Sequence, residues 1–103
     1  MGIFDFLFGN KKKNIKEFLD KGAIILDVRT KGEWDNGHIE SAKHIPLDQL
    51  RNNVAKIQKM NKPVITCCAS GARSGQATQI LKSNNIEAIN GGGWSSLQRK
   101  ILS

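Results

Sequence analysis

Val64-Ile65-Thr66-Cys67-Cys68-Ala69-Ser70-Gly71-Ala72-Arg73-Ser74 is the stretch on which the fold turns. It opens as a short β-branched apolar run, the pattern of a buried strand. A cysteine, a small-residue turn holding a glycine and a helical segment follow in that order. This order puts the Cys68 sulfur at the C-terminal end of a strand, facing a helix start. In open α/β sheets that edge is where ligands bind. A helix start adds unpaired N–H groups and a partial positive charge, so an anionic sulfur or an oxyanion is favoured there.

Outward from this stretch, strand and helix patterns alternate. Upstream, Asn14-Ile15-Lys16-Glu17 has the form of a capping box, with Ile15, Phe18 and Leu19 on one helical face and Gly22 as the stop. Ala23-Ile24-Ile25-Leu26 leads into Asp27-Val28-Arg29 as a continuous apolar run, expected of a strand covered on both faces. Thr30-Lys31-Gly32-Glu33 is a second capping box and opens a short helix that ends near Gly37. Lys43-His44-Ile45-Pro46 is a short strand closed by proline. Leu47, Leu50, Val54 and Ile57 predict one amphipathic helix ending before Pro63. Downstream of Cys68, Ala77, Ile80 and Leu81 give a helix its inner face, and Asn84-Asn85 predicts a left-handed stop. Ile86 to Ile89 is the last expected strand, Asn90-Gly91-Gly92-Gly93 a turn, and Trp94, Leu97 and Ile101 mark a closing helix. Such alternation predicts a helix-covered parallel sheet.

The chain has 103 residues, enough for one domain with a real core; residues 14–103 are its expected extent, preceded by a tail at residues 1–13. Apolar residues make up 39% and charged residues 24%, which suits a soluble globular protein. The formal net charge is +7, and Lys11, Lys12 and Lys13 supply part of it. A basic surface steers small anions or is simply solvated. No zinc-ligand spacing, aromatic RNA-binding signature or recognition-helix pattern accompanies the charge, so nucleic acid is not an expected partner. Ile3, Phe4, Phe6, Leu7 and Phe8 form an apolar run too short to span a bilayer and without the layout of a signal peptide. It reads as a weak surface anchor beside the lysines, as a segment docked on the domain, or as a disordered tail. The two adjacent cysteines form no disulfide framework and no CxxC, which points to a reduced thiol in the cytoplasm. Only two histidines are present and no third ligand stands at suitable spacing, so no metal and no cofactor are expected.

A free thiol has a pKa of about 8.5 and only the thiolate attacks well. The turn Ala69-Ser70-Gly71-Ala72 lets main-chain N–H groups curl around the Cys68 sulfur, and Gly71 is free to take a positive φ. The alternative is an inert buried cysteine. Cys67, next along the strand, should point the other way and pack as a small core residue. Arg73 has two readings: it binds anionic oxygens of a substrate, or it pairs with Glu33 or Asp27 and braces the loop. Glu33 also reads as the capping-box residue of its own helix. Asp27 and Arg29 end the neighbouring strand, as structural groups before substrate contacts. His38, after a glycine, reads as a hydrogen-bonded structural residue.

Ile25-Leu26-Asp27-Val28-Arg29, Glu33-Trp34, Gly37-His38-Ile39, Ala42, Ile45-Pro46, Cys68-Ala69-Ser70-Gly71-Ala72-Arg73-Ser74 and Asn90-Gly91-Gly92 together resemble a single-domain rhodanese. The resemblance runs from about Asn14 to Leu97. It implies an α/β fold, a doubly wound and mainly parallel sheet of about four to five strands with helices on both faces. It also implies a sulfurtransferase of the thiosulfate type, with Cys68 as the persulfide carrier and Ala69, Ser70, Gly71, Ala72, Arg73 and Ser74 as the loop around it. The implied partners are a small anionic sulfur donor and a cyanide or thiol acceptor, a protein thiol included, with the chain a monomer. Related phosphatases and arsenate reductases use a loop one residue longer than the Cys-x4-Arg found here, so the shorter loop argues against a tetrahedral oxyanion. A second class of function stays open beside the enzyme: a non-catalytic module that binds partners or relays sulfur. Two positions depart from the pattern. Leu97 stands where many members have tryptophan, with an expected effect on packing alone. The family's first edge strand has no clear counterpart before Asn14.

Overall fold

The computed structural model describes residues 14–103. The expectations for residues 1–13, and an edge strand ahead of Asn14, lie outside the described residues. Asn14 Oδ1 accepts the Glu17 amide at 3.0 Å and opens α1 (Ile15–Asp20). Gly22, at φ +79°, turns the chain out of that helix into β1 (Ile24–Asp27). Thr30 and Glu33 then exchange both capping-box hydrogen bonds at the start of α2 (Lys31–Asp35). A cap of this kind stabilises a helix by about 1 kcal/mol. β2 (Lys43–His44) is a two-residue strand.

The single helix expected to start near Leu47 and end before Pro63 is broken. It forms as α3 (Leu47–Leu50), a 3₁₀ turn (Arg51–Asn53) and α4 (Val54–Met60). Asn53 leaves the helical region at φ −116°, ψ 7°, and its side-chain amide donates to Gln49 O at 2.8 Å. A short polar side chain bonding back to the main chain competes with the helical ladder. The apolar face survives the break, with Leu50, Val54 and Ile57 all buried.

β3 (Val64–Cys68) leads into α5 (Ala72–Ser83), and Asn85 takes the left-handed conformation after it, φ 62°. The last strand differs from expectation. β4 (Ala88–Gly93) starts later than Ile86 and runs on through the glycines expected to turn. These glycines allow close approach. A Cβ on Gly91 would lie 2.6 Å from Thr66 O, and one on Gly93 would lie 2.9 Å from Ala69 O. The pairing slips between Thr66 and Cys68, so that Gly93 stands opposite Cys68. α6 (Trp94–Leu102) closes the chain.

All strand pairs are parallel, in the order β2-β1-β3-β4. After β1 the chain builds outward to β2, then crosses to β3 and builds the other way. The switch point lies between β1 and β3, and Cys68 ends β3 there. One face of the sheet packs Leu26, Val64 and Cys68 with Leu50, Ile57 and Leu81 of α3, α4 and α5. The other packs Ile25, Ile65 and Cys67 with Phe18 of α1 and Leu97 of α6. Each fully buried side chain of this size contributes roughly 1.5–3 kcal/mol.

Candidate active site

Strand alternation sends the two cysteines to opposite faces, Cys68 toward α5 and Cys67 toward α1 and α6. Gly71, at φ +112°, is the N-cap of α5 and brings no capping side chain. The Cys68 sulfur fills that role. It accepts the Gly71 amide at 3.0 Å and the Ser74 amide, at the third helical position, at 3.3 Å. That is the amide a capping oxygen would satisfy. The Ser74 hydroxyl adds a third contact at 3.3 Å. Cys68 is only 1% exposed, deeper than a position at the rim of the sheet implies. The donors nevertheless face the sulfur. Burial pushes its pKa up, but the Ser74 hydroxyl and the Ser74, Gly71 and Ser70 amides outweigh burial and hold it below the ordinary thiol value. For Cys67, burial followed by the Asp27 charge pushes the thiol up to about 12.

Ser74 Oγ has one proton and three acceptors within reach. Asn90 Oδ1 is 2.7 Å away, Gly71 O 3.1 Å and Cys68 Sγ 3.3 Å. With a thiol, S–H donates to Ser74 Oγ and the hydroxyl donates to Asn90. With a thiolate, the hydroxyl turns its proton to the sulfur. The Asn90 carboxamide also accepts the Gly92 amide at 2.8 Å and donates to Gly71 O at 3.0 Å, so it joins β4 to the loop. Sequence reasoning took Asn90 as the start of a turn and missed this. Its one signal was an asparagine before a glycine run at the end of a strand. Deeper in, the Thr66 and Thr78 hydroxyls donate to Ser74 O at 2.9 and 2.8 Å and pin the first turn of α5.

Arg73 closes its fork on Glu33, Nη1 to Oε1 at 2.8 Å and Nη2 to Oε2 at 2.9 Å. Glu33 Oε1 also accepts the Thr30 amide at 3.0 Å, so the capping and bracing readings of Glu33 hold at once. The Arg73 guanidinium, with the Thr30 amide second, holds its carboxyl at about 2. Asp27 pairs instead with Arg29, Nη2 to Oδ2 at 2.7 Å, with the side chains 0% and 4% exposed. Arg29 further donates to Gly37 O at 2.7 Å and lies over the Trp94 ring at 4.8 Å. These two residues tie β1 to the end of α2, one element away from the sulfur. His38 Nδ1 lies 2.8 Å from Trp34 O and its ring stacks on that indole at 3.5 Å. Among the described residues no cluster of three His, Cys, Asp or Glu side chains is placed to hold a metal ion. No helix among them is long and apolar enough to cross a membrane.

Ala69, Ser70 and Ala72 complete the loop, all three exposed, with Ala72 as the first residue of α5. The arrangement suits a nucleophilic sulfur that carries one negative charge inside a ring of neutral donors.

A family model described as Rhodanese-like domain matches residues 11–100. The uncharacterized protein YqhL of Bacillus subtilis is 40% identical over 67 residues, 65% of this chain and 52% of that protein, so the match spans about half of the relative's length. A rhodanese-like domain protein from Staphylococcus aureus has a crystal structure with a TM-score of 0.67 and 32% identity, covering 91% of this chain and 85% of that one. The human single-domain sulfurtransferase TSTD1 gives a TM-score of 0.65 at 28% identity, covering 84% and 89%.

Proposed function

The chain belongs to the Rhodanese-like domain family, and from that premise we propose that it is a sulfurtransferase working through a persulfide on Cys68. The Cys68 thiolate attacks the outer sulfur of a donor such as thiosulfate. A new S–S bond forms on Cys68, the donor's S–S bond breaks, and sulfite leaves with the electron pair. Cyanide or a thiolate, on a small molecule or a protein, then attacks the outer sulfur of the persulfide. Thiocyanate or a new persulfide departs, and Cys68 returns as a thiolate. This is covalent catalysis with a sulfur intermediate.

One observation carries the reading: two main-chain amides and a hydroxyl converge on Cys68 Sγ at 3.0–3.3 Å. They favour the anionic sulfur with which the first transfer begins and the second ends. The Glu33–Arg73 pair supports the loop from outside, and the Asp27–Arg29 pair holds the neighbouring strand end. Both cysteines are free, as thiols are in a reducing compartment, and the proposed setting is the cytoplasm, with the chain working as a monomer.

The test is intact-mass measurement after incubation with a sulfane-sulfur donor. A gain of one sulfur is expected in the native chain and none in Cys68→Ser. A native chain that takes up no sulfur from any donor overturns the proposal.

A further inference from the structure

Resting on that reading of Cys68, we infer that Asn90 is a positioning residue for the transfer. Its carboxamide is the resting place of the Ser74 proton whenever the negative charge is not on Cys68 Sγ, so it favours the loaded sulfur over the bare thiolate. The Asn90 side chain is held one way round. Oδ1 accepts the Gly92 amide at 2.8 Å, and Nδ2 donates to Gly71 O at 3.0 Å. A flipped carboxamide would set donor against donor at one contact and acceptor against acceptor at the other. Oδ1 is therefore a fixed acceptor. It lies 2.7 Å from Ser74 Oγ, whereas Cys68 Sγ lies 3.3 Å from the same oxygen. The remaining acceptor, Gly71 O at 3.1 Å, already takes the Gly75 amide and Asn90 Nδ2, each at 3.0 Å.

Ser74 is 0% exposed, so its one proton is divided among these partners. In the thiol, S–H donates to Oγ and O–H donates to Asn90, and each bond strengthens the other. In the thiolate, the proton turns to the sulfur and leaves Oδ1. Asn90 thus stabilises the thiol and works against the thiolate. Loading repeats the first case. When a sulfane sulfur adds to Cys68, the charge moves to the outer sulfur and Sγ becomes a neutral member of an S–S bond. The hydroxyl then returns to Asn90. The ionisable groups packed around this chain of bonds are Arg73 of α5 with Glu33 of α2, Asp27 of β1 with Arg29, and Cys67 on the other face of β3. The charged groups are closed in pairs, and the Asn90 carboxamide bonds instead to Ser74, Gly71 and Gly92.

The test reads the pH midpoint of iodoacetamide labelling at Cys68 in the full chain. Asn90→Leu keeps the size of the side chain and removes its acceptor; Asn90 is exposed, so no core position is emptied. Gly71 O, freed of Nδ2, takes part of the released proton. The midpoint should therefore fall by about half a pH unit, which is about threefold more thiolate on the acid limb. In a Ser74→Ala background the same substitution should leave the midpoint in place. A bracing role alone predicts the opposite sign, because a loosened loop draws the Gly71 and Ser74 amides off the sulfur and raises the midpoint in both backgrounds. A midpoint that rises, stays, or falls equally in both overturns the inference. Where Asn90→Leu does not fold, Asn90→Asp decides, since it keeps the acceptor and adds a charge. Its midpoint should rise further in the native background than in Ser74→Ala, and equal rises overturn the inference.

Sulfur exchange with N-acetylcysteine persulfide on the alkaline plateau gives the second readout. Cys68–S⁻ takes the outer sulfur, the donor's S–S bond breaks, and N-acetylcysteine leaves as its thiolate. The ratio of loaded to empty chain at equilibrium should be about threefold lower in Asn90→Leu. An unchanged ratio overturns the inference. A native chain that takes up no sulfur removes the transfer reading, and the loaded half of this inference with it, while the midpoints still decide whether Asn90 holds the Ser74 proton.

Discussion

Ser74→Ala removes one donor from the Cys68 sulfur and leaves the Gly71 and Ser74 amides in place. A hydrogen bond to a charged group contributes roughly 1.5–3 kcal/mol. This one is long, at 3.3 Å, and its proton is contested by Asn90 Oδ1 at 2.7 Å, so the lower end applies. About 1.4 kcal/mol corresponds to about one pKa unit, upward. On the acid side of both midpoints the thiolate fraction then falls about tenfold. The more basic thiolate is also a better nucleophile, with a Brønsted slope of about 0.4–0.5. Alkylation by iodoacetamide should therefore slow about three- to fourfold on the acid limb and quicken about threefold on the alkaline plateau. The assay follows label on the Cys68 peptide from about pH 5 to about pH 10, with Ser74→Thr as the variant that keeps a hydroxyl. Loosening of the fold alone would speed both limbs together. A folded Ser74→Ala whose midpoint does not move, or whose limbs shift in the same direction, refutes donation from this hydroxyl to the sulfur.

Glu33 sits at about 2 in the folded chain against an ordinary 4.5, so its contribution is present above about 4.5 and is lost as pH falls toward 2. The pair is about one-third exposed, and after solvent screening it is worth on the order of 1 kcal/mol. Urea unfolding of the native chain and Glu33→Gln should differ by that amount at neutral pH and converge near pH 2; a gap that persists there contradicts the assignment. Gly91→Ala places a Cβ 2.6 Å from Thr66 O, 2.8 Å from Ile65 Cγ2 and 3.0 Å from Leu97 Cδ2. Overpacking of this kind costs about 2–3 kcal/mol, which lowers the melting temperature of a domain this size by about 10 °C or more; an unchanged melting curve would show that β4 has room to shift. Cys67, held at about 12, should stay unlabelled at neutral pH while Cys68 reacts, and both should label after denaturation. Equal labelling rates in the folded chain would mean that the two sulfurs share one environment.

What was legible in the chain was local. The apolar run at Ile24-Ile25-Leu26, the Thr30–Glu33 capping box, and the asparagine at position 85 each specify their structure within a few residues, and each forms where its pattern predicts. The order of these signals was enough for a parallel sheet with Cys68 at a strand end. The misses arise where distant parts of the chain decide. Val54 and Ile57 keep the helical period through Asn53, and the interruption shows in the Asn53 backbone and in its side-chain bond to Gln49 O. The glycines at 91–93 look like a turn because nothing nearby reveals the Thr66 and Ala69 carbonyls that press on them from β3 and its loop. Asn90 acquires its role from Ser74 and Gly71, sixteen and nineteen positions away. For Arg73 two partners were open in the sequence, and spatial proximity selects Glu33 over Asp27.

A helix stapled at its start by the atom proposed to carry sulfur would feel that transfer. Adding a sulfur to Cys68 lengthens that staple by about 2 Å and moves the charge outward, so the Gly71 and Ser74 amides must follow the new tip or let go. Their protection against deuterium uptake would then differ between the empty and the loaded chain. On the proposed chemistry, the start of α5 would be a built-in gauge of cargo.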